Sequence, residues 1–160
     1  MNTAKTLLYM GVTHGFLTYF YPYQLARADT LLFDPGPFRY LATICWAAGT
    51  LVILWCSAVL VRSGRGTPAH YDPPRALVVH GPYRLVRNPI YVGALLVQFG
   101  YILWFGSLLT ILYSLLFLLA FHILIVLIEE PVLRATFGAA YEVYCQQVPR
   151  WIPKFRQEHS

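Results

Sequence analysis

The chain alternates between long apolar runs and shorter polar segments, and the apolar runs predict helices. A membrane-spanning helix needs about 20 apolar residues, with about 17 as the lower limit. Four runs meet this requirement, at residues 6–25, 40–61, 89–105 and 107–128, and the third is the shortest. The pattern therefore predicts an all-α integral membrane protein with four transmembrane helices in one domain, residues 1–160.

Turn residues mark where these helices begin and end. Gly106 and Ser107 are the only break between the third and fourth runs, which predicts a tight antiparallel hairpin. Asn88 and Pro89 predict the start of the third helix, because Asn is a preferred N-cap and Pro suits the first helical position. The preceding loop, 62–88, is rich in Gly and Pro, which excludes a long helix. Within it, residues 76–80 predict a short strand or a segment at the headgroup layer, followed by a turn at Gly81-Pro82.

Composition supports the membrane class. Apolar residues make up 58% of the chain and charged residues 12%, whereas soluble domains carry about 25% charged residues. Cys45, Cys56 and Cys145 form no CxxC pair and have no metal-ligand spacing, so neither a disulfide framework nor a metal site is predicted. The N-terminal run lacks a small-residue cleavage pattern, and we expect it to be retained as a helix.

The distribution of cations orients the predicted helices. Ten of the 12 Lys and Arg residues lie on the side that holds both termini and the 62–88 loop. The other side holds Arg27 and Arg39, offset by Asp29 and Asp34. The positive-inside rule then predicts both termini in the cytoplasm, in a cytoplasmic (inner) membrane. Anionic lipid headgroups explain the net charge of +5, so no nucleic-acid partner is predicted.

Two charged clusters are expected to meet at the cytoplasmic face. Arg84 and Arg87 precede the start of the third helix, where free N–H groups and the helix dipole favour an anion. Glu129 and Glu130 follow the fourth apolar run, where carboxylates oppose the dipole and need partners. Together the clusters could hold a zwitterion. The alternative is that the arginines contact only lipid phosphate and the acids only end the helix.

The segment after the acidic pair predicts an amphipathic C-terminal helix. Leu133, Phe137, Tyr141 and Tyr144 follow helical spacing and would form one apolar-aromatic face. Pro131 is expected to bend or restart the helix, and Arg134 would snorkel. An ordinary interfacial helix would show the same stripe.

Two sequence stretches together resemble a known family. GPYRLVRNPIYVG at 81–93 and EEPVLRATFGAAYEVYCQQVPRWIP at 129–153 are similar to the isoprenylcysteine carboxyl methyltransferases, a family related to the phospholipid N-methyltransferases. The similarity is densest over 64–153, and the first two helices match only as apolar segments. The resemblance implies a membrane methyltransferase that uses S-adenosylmethionine at the cytoplasmic face. Its lipophilic or prenylated substrate would come from the bilayer, with membrane lipids as the other partners.

The resemblance also implies site residues, in regions 80–93 and 129–153. The cofactor-binding residues would be Arg87, Asn88, Pro89, Ile90, Tyr91, Gly93, Glu129, Glu130, Tyr141 and Tyr144, with Phe137 in the aromatic segment that covers the pocket. The start of the third helix and Arg87 would take the methionine carboxylate. The acids, which are also the catalytic candidates, would take the ammonium or the ribose hydroxyls. Tyrosine rings would flank the adenine or the sulfonium, and Gly93 would let the cofactor approach closely.

Other residues concern the methyl acceptor. His122, seven residues before Glu129, shares its helix face and is predicted to bind substrate with Arg134, although a lone intramembrane His often bonds a neighbouring helix. Asn88 stands where many family members have His. Leu124 stands where eukaryotic carboxyl methyltransferases have Arg, so the acceptor is left open.

Two alternatives come from other functional classes. His14 and His122 both lie in apolar runs, and two imidazoles can ligate the haem of an electron-transfer bundle. A non-catalytic membrane scaffold would bind no S-adenosylmethionine at all. A membrane reductase finds no support, since no dinucleotide-binding GxGxxG signature is present.

Overall fold

A computed structural model describes residues 15–28, 33–64 and 76–153 of the chain. Its regular secondary structure in these ranges is helical, with no strand, which confirms the all-α prediction for them. We number five helices: α1, formed by the π-helical Gly15–Phe20 and the α-helical Tyr21–Ala28; α2, Gly36–Ser63; α3, Pro89–Phe105; α4, Leu108–Phe137; and α5, Ala139–Gln147. Residues 6–14 of the first predicted helix, with His14, lie outside the described ranges.

Helix α2 begins four residues earlier than predicted, with a 3₁₀ turn at Gly36–Tyr40. The carboxylate of Asp34 accepts a hydrogen bond from the Gly36 N–H at 3.0 Å, and Pro37 suits a first helical turn. Arg39 pairs with the same carboxylate at 3.0 Å. These local contacts extend the helix into residues that lie before the predicted apolar run.

The backbones of α2 and α3 lie close together because glycines leave no side chains between them. A Cβ atom added to Gly49 would lie 2.6 Å from the carbonyl oxygen of Gly93, and one added to Gly100 would lie 2.6 Å from the Trp46 ring. Small residues permit this close approach between helices in a membrane. Ile53 and Val97 then pack into the main core.

The hairpin between α3 and α4 forms as predicted. Gly106 ends α3 in the left-handed conformation, φ 59°, and its N–H donates to the carbonyl of Ile102 at 2.9 Å. Ser107 caps α4 by accepting a hydrogen bond from the Thr110 N–H at 3.1 Å. Gly and Ser therefore act here as a C-cap and an N-cap in immediate succession.

Helix α1 is held by side chains from α3 and α4. The carbonyl of Leu17 accepts from the Gln98 amide at 3.3 Å and from the Tyr113 hydroxyl at 2.6 Å. The Tyr101 hydroxyl donates to the carbonyl of Tyr19 at 3.1 Å. Interhelical hydrogen bonds of this kind replace water in an apolar environment. The helix extends to Ala28, three residues beyond the predicted end.

Helix α4 does not end at residue 128 as predicted but continues to Phe137. It widens into a π-helical segment, Ile125–Glu129, directly before Pro131. Proline lacks the N–H for the normal α-helical bond and crowds the carbonyl four residues earlier, and a wide turn accommodates both effects. The acidic pair thus lies inside a continuous helix rather than at its end.

The predicted amphipathic C-terminal helix is two helices. Gly138, with φ 53° and ψ −129°, separates α4 from α5 in a conformation that glycine adopts readily. Leu133 and Phe137 end α4, whereas Tyr141 and Tyr144 belong to α5. All four still pack in one cluster, because the chain folds back at the break.

The segment before α3 forms no strand, so that alternative is wrong. Val78 is buried against Cys56, Tyr83 and Ile90. A 3₁₀ turn, Gly81–Arg84, follows with Gly81 at φ 60°, which confirms the predicted turn.

Long apolar helices with exposed surfaces fit a membrane protein. Helices α2 and α4 are long and apolar enough to cross a bilayer, and α3 is a shorter apolar helix of 17 residues. Their outer faces expose large apolar side chains, among them Leu51, Leu54, Leu112, Leu115, Leu116, Leu119 and Leu127. Water would not tolerate so continuous an apolar surface, whereas lipid would.

Candidate functional site

A cavity lies between the start of α3 and the second half of α4, with α5 beside it. The cavity has a volume of about 90 Å³ and is partly open to solvent. Its lining is apolar on one side and charged on the other. The lining residues are Leu60, Leu77, Val78, Tyr83, Arg87, Asn88, Ile125, Glu129, Glu130, Leu133, Tyr141 and Tyr144.

Glu130 is the most enclosed charged residue of the site, with 3% of its surface exposed. Arg150 binds its carboxylate through two hydrogen bonds, from Nε at 2.7 Å and from Nη2 at 3.0 Å. Arg87 and Arg134 stand at 3.4 and 3.6 Å from the same carboxylate. A buried carboxylate is tolerated only with such partners, and here three guanidinium groups supply them. The hydrogen bond to Glu130 in turn raises the pKa of Arg150 above its usual value.

A short segment after α5, residues 148–153, covers this cluster, and we call it the C-terminal strap. The backbone N–H of Arg87 donates to the carbonyl of Pro149 at 2.9 Å. The Asn88 side-chain amide donates to the carbonyl of Arg150 at 3.3 Å. Asn88 therefore occupies the predicted N-cap position, but its side chain ties down the strap and forms no cap hydrogen bond.

The two acids contact different groups. Glu129 accepts a hydrogen bond from the Tyr91 hydroxyl at 2.5 Å, which joins α4 to α3. The Tyr91 ring packs on Phe121, with 4.7 Å between ring centroids. Glu130 instead faces the arginines. One acid is thus paired with a neutral hydroxyl and the other with cations.

Tyrosines of α5 close the cavity. Tyr141 and Tyr144 are 2% and 6% exposed, and the Tyr144 hydroxyl donates to the carbonyl of Tyr83 at 2.7 Å. The Arg134 guanidinium lies 5.9 Å from the centre of the Tyr141 ring. Burial raises the pKa of both tyrosines well above the ordinary value, so their hydroxyls remain protonated at neutral pH.

The structure brings six of the ten predicted cofactor residues to the cavity lining: Arg87, Asn88, Glu129, Glu130, Tyr141 and Tyr144. Pro89 and Ile90 are buried beneath it, and Ile90 packs against Cys56. Tyr91 reaches the site through Glu129. Gly93 does not line the cavity but faces Gly49 and Ile53, so its lack of a side chain serves the packing of α2 on α3.

The two predicted substrate residues lie at the edge of the site. His122 accepts a hydrogen bond at Nδ1 from the Trp151 indole at 3.3 Å, which ties α4 to the strap. Arg134 pairs with Glu142 at 2.7 Å as well as approaching Glu130. Neither lines the cavity, and their contact with substrate stays a prediction.

Comparison with known proteins decides the family. The sequence model of the phospholipid methyltransferase family matches residues 37–140, well over half of the chain. The chain belongs to this family. This confirms the family relationship that the two sequence stretches implied. The match includes Arg87, Glu129 and Glu130, whereas Tyr141, Tyr144 and Arg150 lie beyond it.

Two plant relatives of this phospholipid methyltransferase family member were found. Each is a probable protein-S-isoprenylcysteine O-methyltransferase, one from Oryza sativa subsp. indica and one from Oryza sativa subsp. japonica. Each is 36% identical over 85 residues, which cover 52% of this chain and 44% of the relative. The chain thus matches less than half the length of these curated relatives. No solved structure matches significantly.

Sequence reasoning missed Arg150 and Tyr83 as site residues. The acidic pair indicated that some cation must pair with it, but this signal did not single out Arg150. Tyr83 carried no such signal. Its position in the lining depends on the turn after His80, which folds the loop back against α2.

Proposed function

We propose that this member of the phospholipid methyltransferase family is an S-adenosylmethionine-dependent methyltransferase and that the cavity holds the cofactor. The observation that carries the proposal is the meeting of the start of α3 with the acidic pair in the lining of one cavity. The cofactor has a carboxylate, an ammonium group and a sulfonium on one small molecule. A site that offers cations and acids side by side suits those charges.

Buried polar atoms also support a ligand at this place. The Tyr83 hydroxyl and the Arg87 Nε are two of seven side-chain atoms that are buried without a hydrogen-bond partner among the described residues. Unpaired buried donors are costly, and both belong to residues that line the cavity. In our proposal Arg87 and the start of α3 take the carboxylate, and Glu129 and Glu130 take the ammonium and the ribose hydroxyls.

The chain's own residues would act by positioning and by excluding water. When bound, the cofactor supplies an electrophilic methyl group on its sulfonium sulfur. The aromatic residues Tyr141 and Tyr144 would shield the charged half of the cavity, while Val78 and Ile125 provide an apolar wall. Alignment of an acceptor in a dry site lowers the barrier without a covalent enzyme intermediate. A carboxylate acceptor needs no base. An amine, phenol or thiol would need a nearby carboxylate, such as that of Glu129, to accept its proton.

The acceptor is proposed to be a lipophilic or prenylated molecule that comes from the bilayer. The apolar part of the lining, the exposed apolar helices and the names of the plant relatives all support this class of substrate. We further propose four membrane-spanning helices with both termini and the cavity on the cytoplasmic side. Helix α1, which packs against α3 and α4, and the shorter α3, which packs against α2 and α4, would complete the four.

Radiolabelled methyl transfer into a membrane lipid extract tests the proposal. Purified protein, S-adenosylmethionine with a labelled methyl group and the extract are incubated, and the labelled lipid is identified. We expect label in an organic-soluble product with the parent protein and at least tenfold less with Glu130→Gln. Glu142→Gln is the matched control, because Glu142 is half exposed and lies outside the cavity lining. Equal transfer by Glu130→Gln and the parent would contradict the site assignment. If no lipid in the extract received the labelled methyl group, the proposed methyltransferase activity would be contradicted.

A further inference from the structure

The contacts of Glu130 show that a cation already occupies its carboxylate in the protein alone. Arg150 makes the two shortest contacts, in a side-by-side arrangement that uses both carboxylate oxygens. Such a bidentate pair is the strongest form of carboxylate recognition by a side chain. Any ligand that offers its own cation to Glu130 must therefore compete with Arg150.

Of the three arginines at Glu130, Arg150 is the one that can leave. Arg87 is only 11% exposed, and its guanidinium is also held by a hydrogen bond from Nη1 to the Cys145 sulfur. Arg134 is more exposed than Arg150, at 45%, but it is held by Glu142 at 2.7 Å and stands farthest from Glu130, so its departure would not free the carboxylate. Arg150 is 30% exposed, so its guanidinium has a path to solvent.

Arg150 also belongs to a segment with few attachments. At the start of the strap, Val148 is buried against Tyr141 and Tyr144, and its N–H donates to the Tyr144 carbonyl at 2.9 Å. Beyond Val148, in the described part of the chain, the strap is tied by the Arg87 and Asn88 contacts, by the Trp151 bond to His122, and by the pair at Glu130. Residues Ile152 and Pro153 are exposed. Release of the guanidinium therefore does not require a core element to unfold.

We infer that Arg150 is an internal stand-in for the cationic group of the ligand, so that binding exchanges the Arg150 guanidinium for the ligand's ammonium at Glu130. This inference rests on the proposed function and sharpens it. It assigns the ammonium to Glu130 and leaves Glu129, already bonded to Tyr91, for the hydroxyls. Arg150 then lowers the affinity of the site for the ligand, because the ligand must displace it. When no ligand is bound, Arg150 keeps the buried Glu130 carboxylate paired.

The test is calorimetric titration of the full-length protein in detergent with S-adenosylhomocysteine, which keeps the ammonium. We expect Arg150→Gln to bind about threefold to tenfold more tightly than the parent, in line with the strength of a partly exposed ion pair. Arg150→Lys, which keeps the charge but not the bidentate geometry, should fall between them. Arg39→Gln is the control, because Arg39 pairs with exposed Asp34 outside the cavity. Its affinity should equal that of the parent.

A second ligand separates exchange from general loosening of the site. 5′-Methylthioadenosine keeps the nucleoside and the thioether but has no ammonium. The gain of Arg150→Gln should be absent with this ligand, and an equal gain with both ligands would overturn the exchange. Weaker or unchanged binding of S-adenosylhomocysteine by Arg150→Gln would overturn it as well. If the parent protein binds neither ligand, the proposed function itself fails, and the two failures are thereby distinguished.

Discussion

The carboxylate of Glu130 is buried, and a buried carboxylate without a partner would be costly. Three guanidinium groups surround it, and Arg150 supplies the direct hydrogen bonds. The pair joins α4 to the strap, and Arg87 joins the same charge to the start of α3. At the scale of single residues, this carboxylate therefore fixes the geometry of the whole cavity.

Replacement of Glu130 by Gln keeps the size of the side chain and removes its charge. We expect a loss of about 1–3 kcal/mol of stability, because the arginines then face a neutral amide in a partly buried cluster. The melting temperature in detergent, followed by tryptophan fluorescence, measures it. Glu142→Gln breaks an exposed pair and should cost at most about 1 kcal/mol. Equal melting temperatures for the two variants would show that the buried charge does not organise the site.

Part of this arrangement of single residues could be predicted from the sequence. The need of Glu129 and Glu130 for partners follows from their place at the end of an apolar run. The identity of the partner at Glu130 does not, because Arg150 lies twenty residues later and reaches it only through the break at Gly138. The side chain of Asn88 was similarly expected to cap α3 through its oxygen, but no cap hydrogen bond forms, and the Asn88 Nδ2 instead donates to the carbonyl of Arg150.

Close packing of α2 on α3 positions the charged end of α3. Gly49→Ala would place a Cβ atom 2.6 Å from a backbone oxygen of α3, which cannot move as a side chain can. We expect a loss of about 1–3 kcal/mol, seen as a lower melting temperature. Gly15→Ala is the control, since a Cβ atom there meets nothing within 4 Å. An unchanged melting temperature for Gly49→Ala would contradict the close contact.

The break between α4 and α5 sets the position of the covering tyrosines. Gly138→Ala forces a side chain into a conformation with φ 53° and ψ −129°, which costs about 1–3 kcal/mol. Tyr141 and Tyr144 should then shift, and affinity for S-adenosylhomocysteine should fall at least fivefold in calorimetric titration. Parent-like affinity would mean that α5 does not cover the ligand.

At the scale of elements, helix ends that depend on adjacent residues could be predicted from the sequence. The shapes of α4 and α5 around Pro131 and Gly138 could not. Gly106-Ser107 and Asn88-Pro89 gave correct helix ends, because caps depend on adjacent residues. The sequence left open whether Pro131 bends or restarts the helix, and α4 continues through it because a wide π-helical turn accommodates the proline. The separation of α5 was missed because Leu133, Phe137, Tyr141 and Tyr144 keep helical spacing across the break.

Orientation in the membrane is a property of the whole molecule. With Cys45, Cys56 and Cys145 replaced, single cysteines at Asp34 and Gln147 report on opposite ends of the helices. We expect a membrane-impermeant maleimide to label Asp34→Cys on intact cells and Gln147→Cys only after permeabilisation, because most cations lie on the side of Gln147. Labelling of both from the same side would contradict the proposed topology.

The central claim is that the start of α3 and the acidic pair of α4 hold one cofactor molecule between them. Ultraviolet cross-linking of radiolabelled S-adenosylmethionine to the purified protein, followed by mapping of the labelled peptides, tests it most directly. We predict label within residues 81–91 or 129–144, removed by excess S-adenosylhomocysteine. Protectable label elsewhere in the chain, or none at all, would contradict the account.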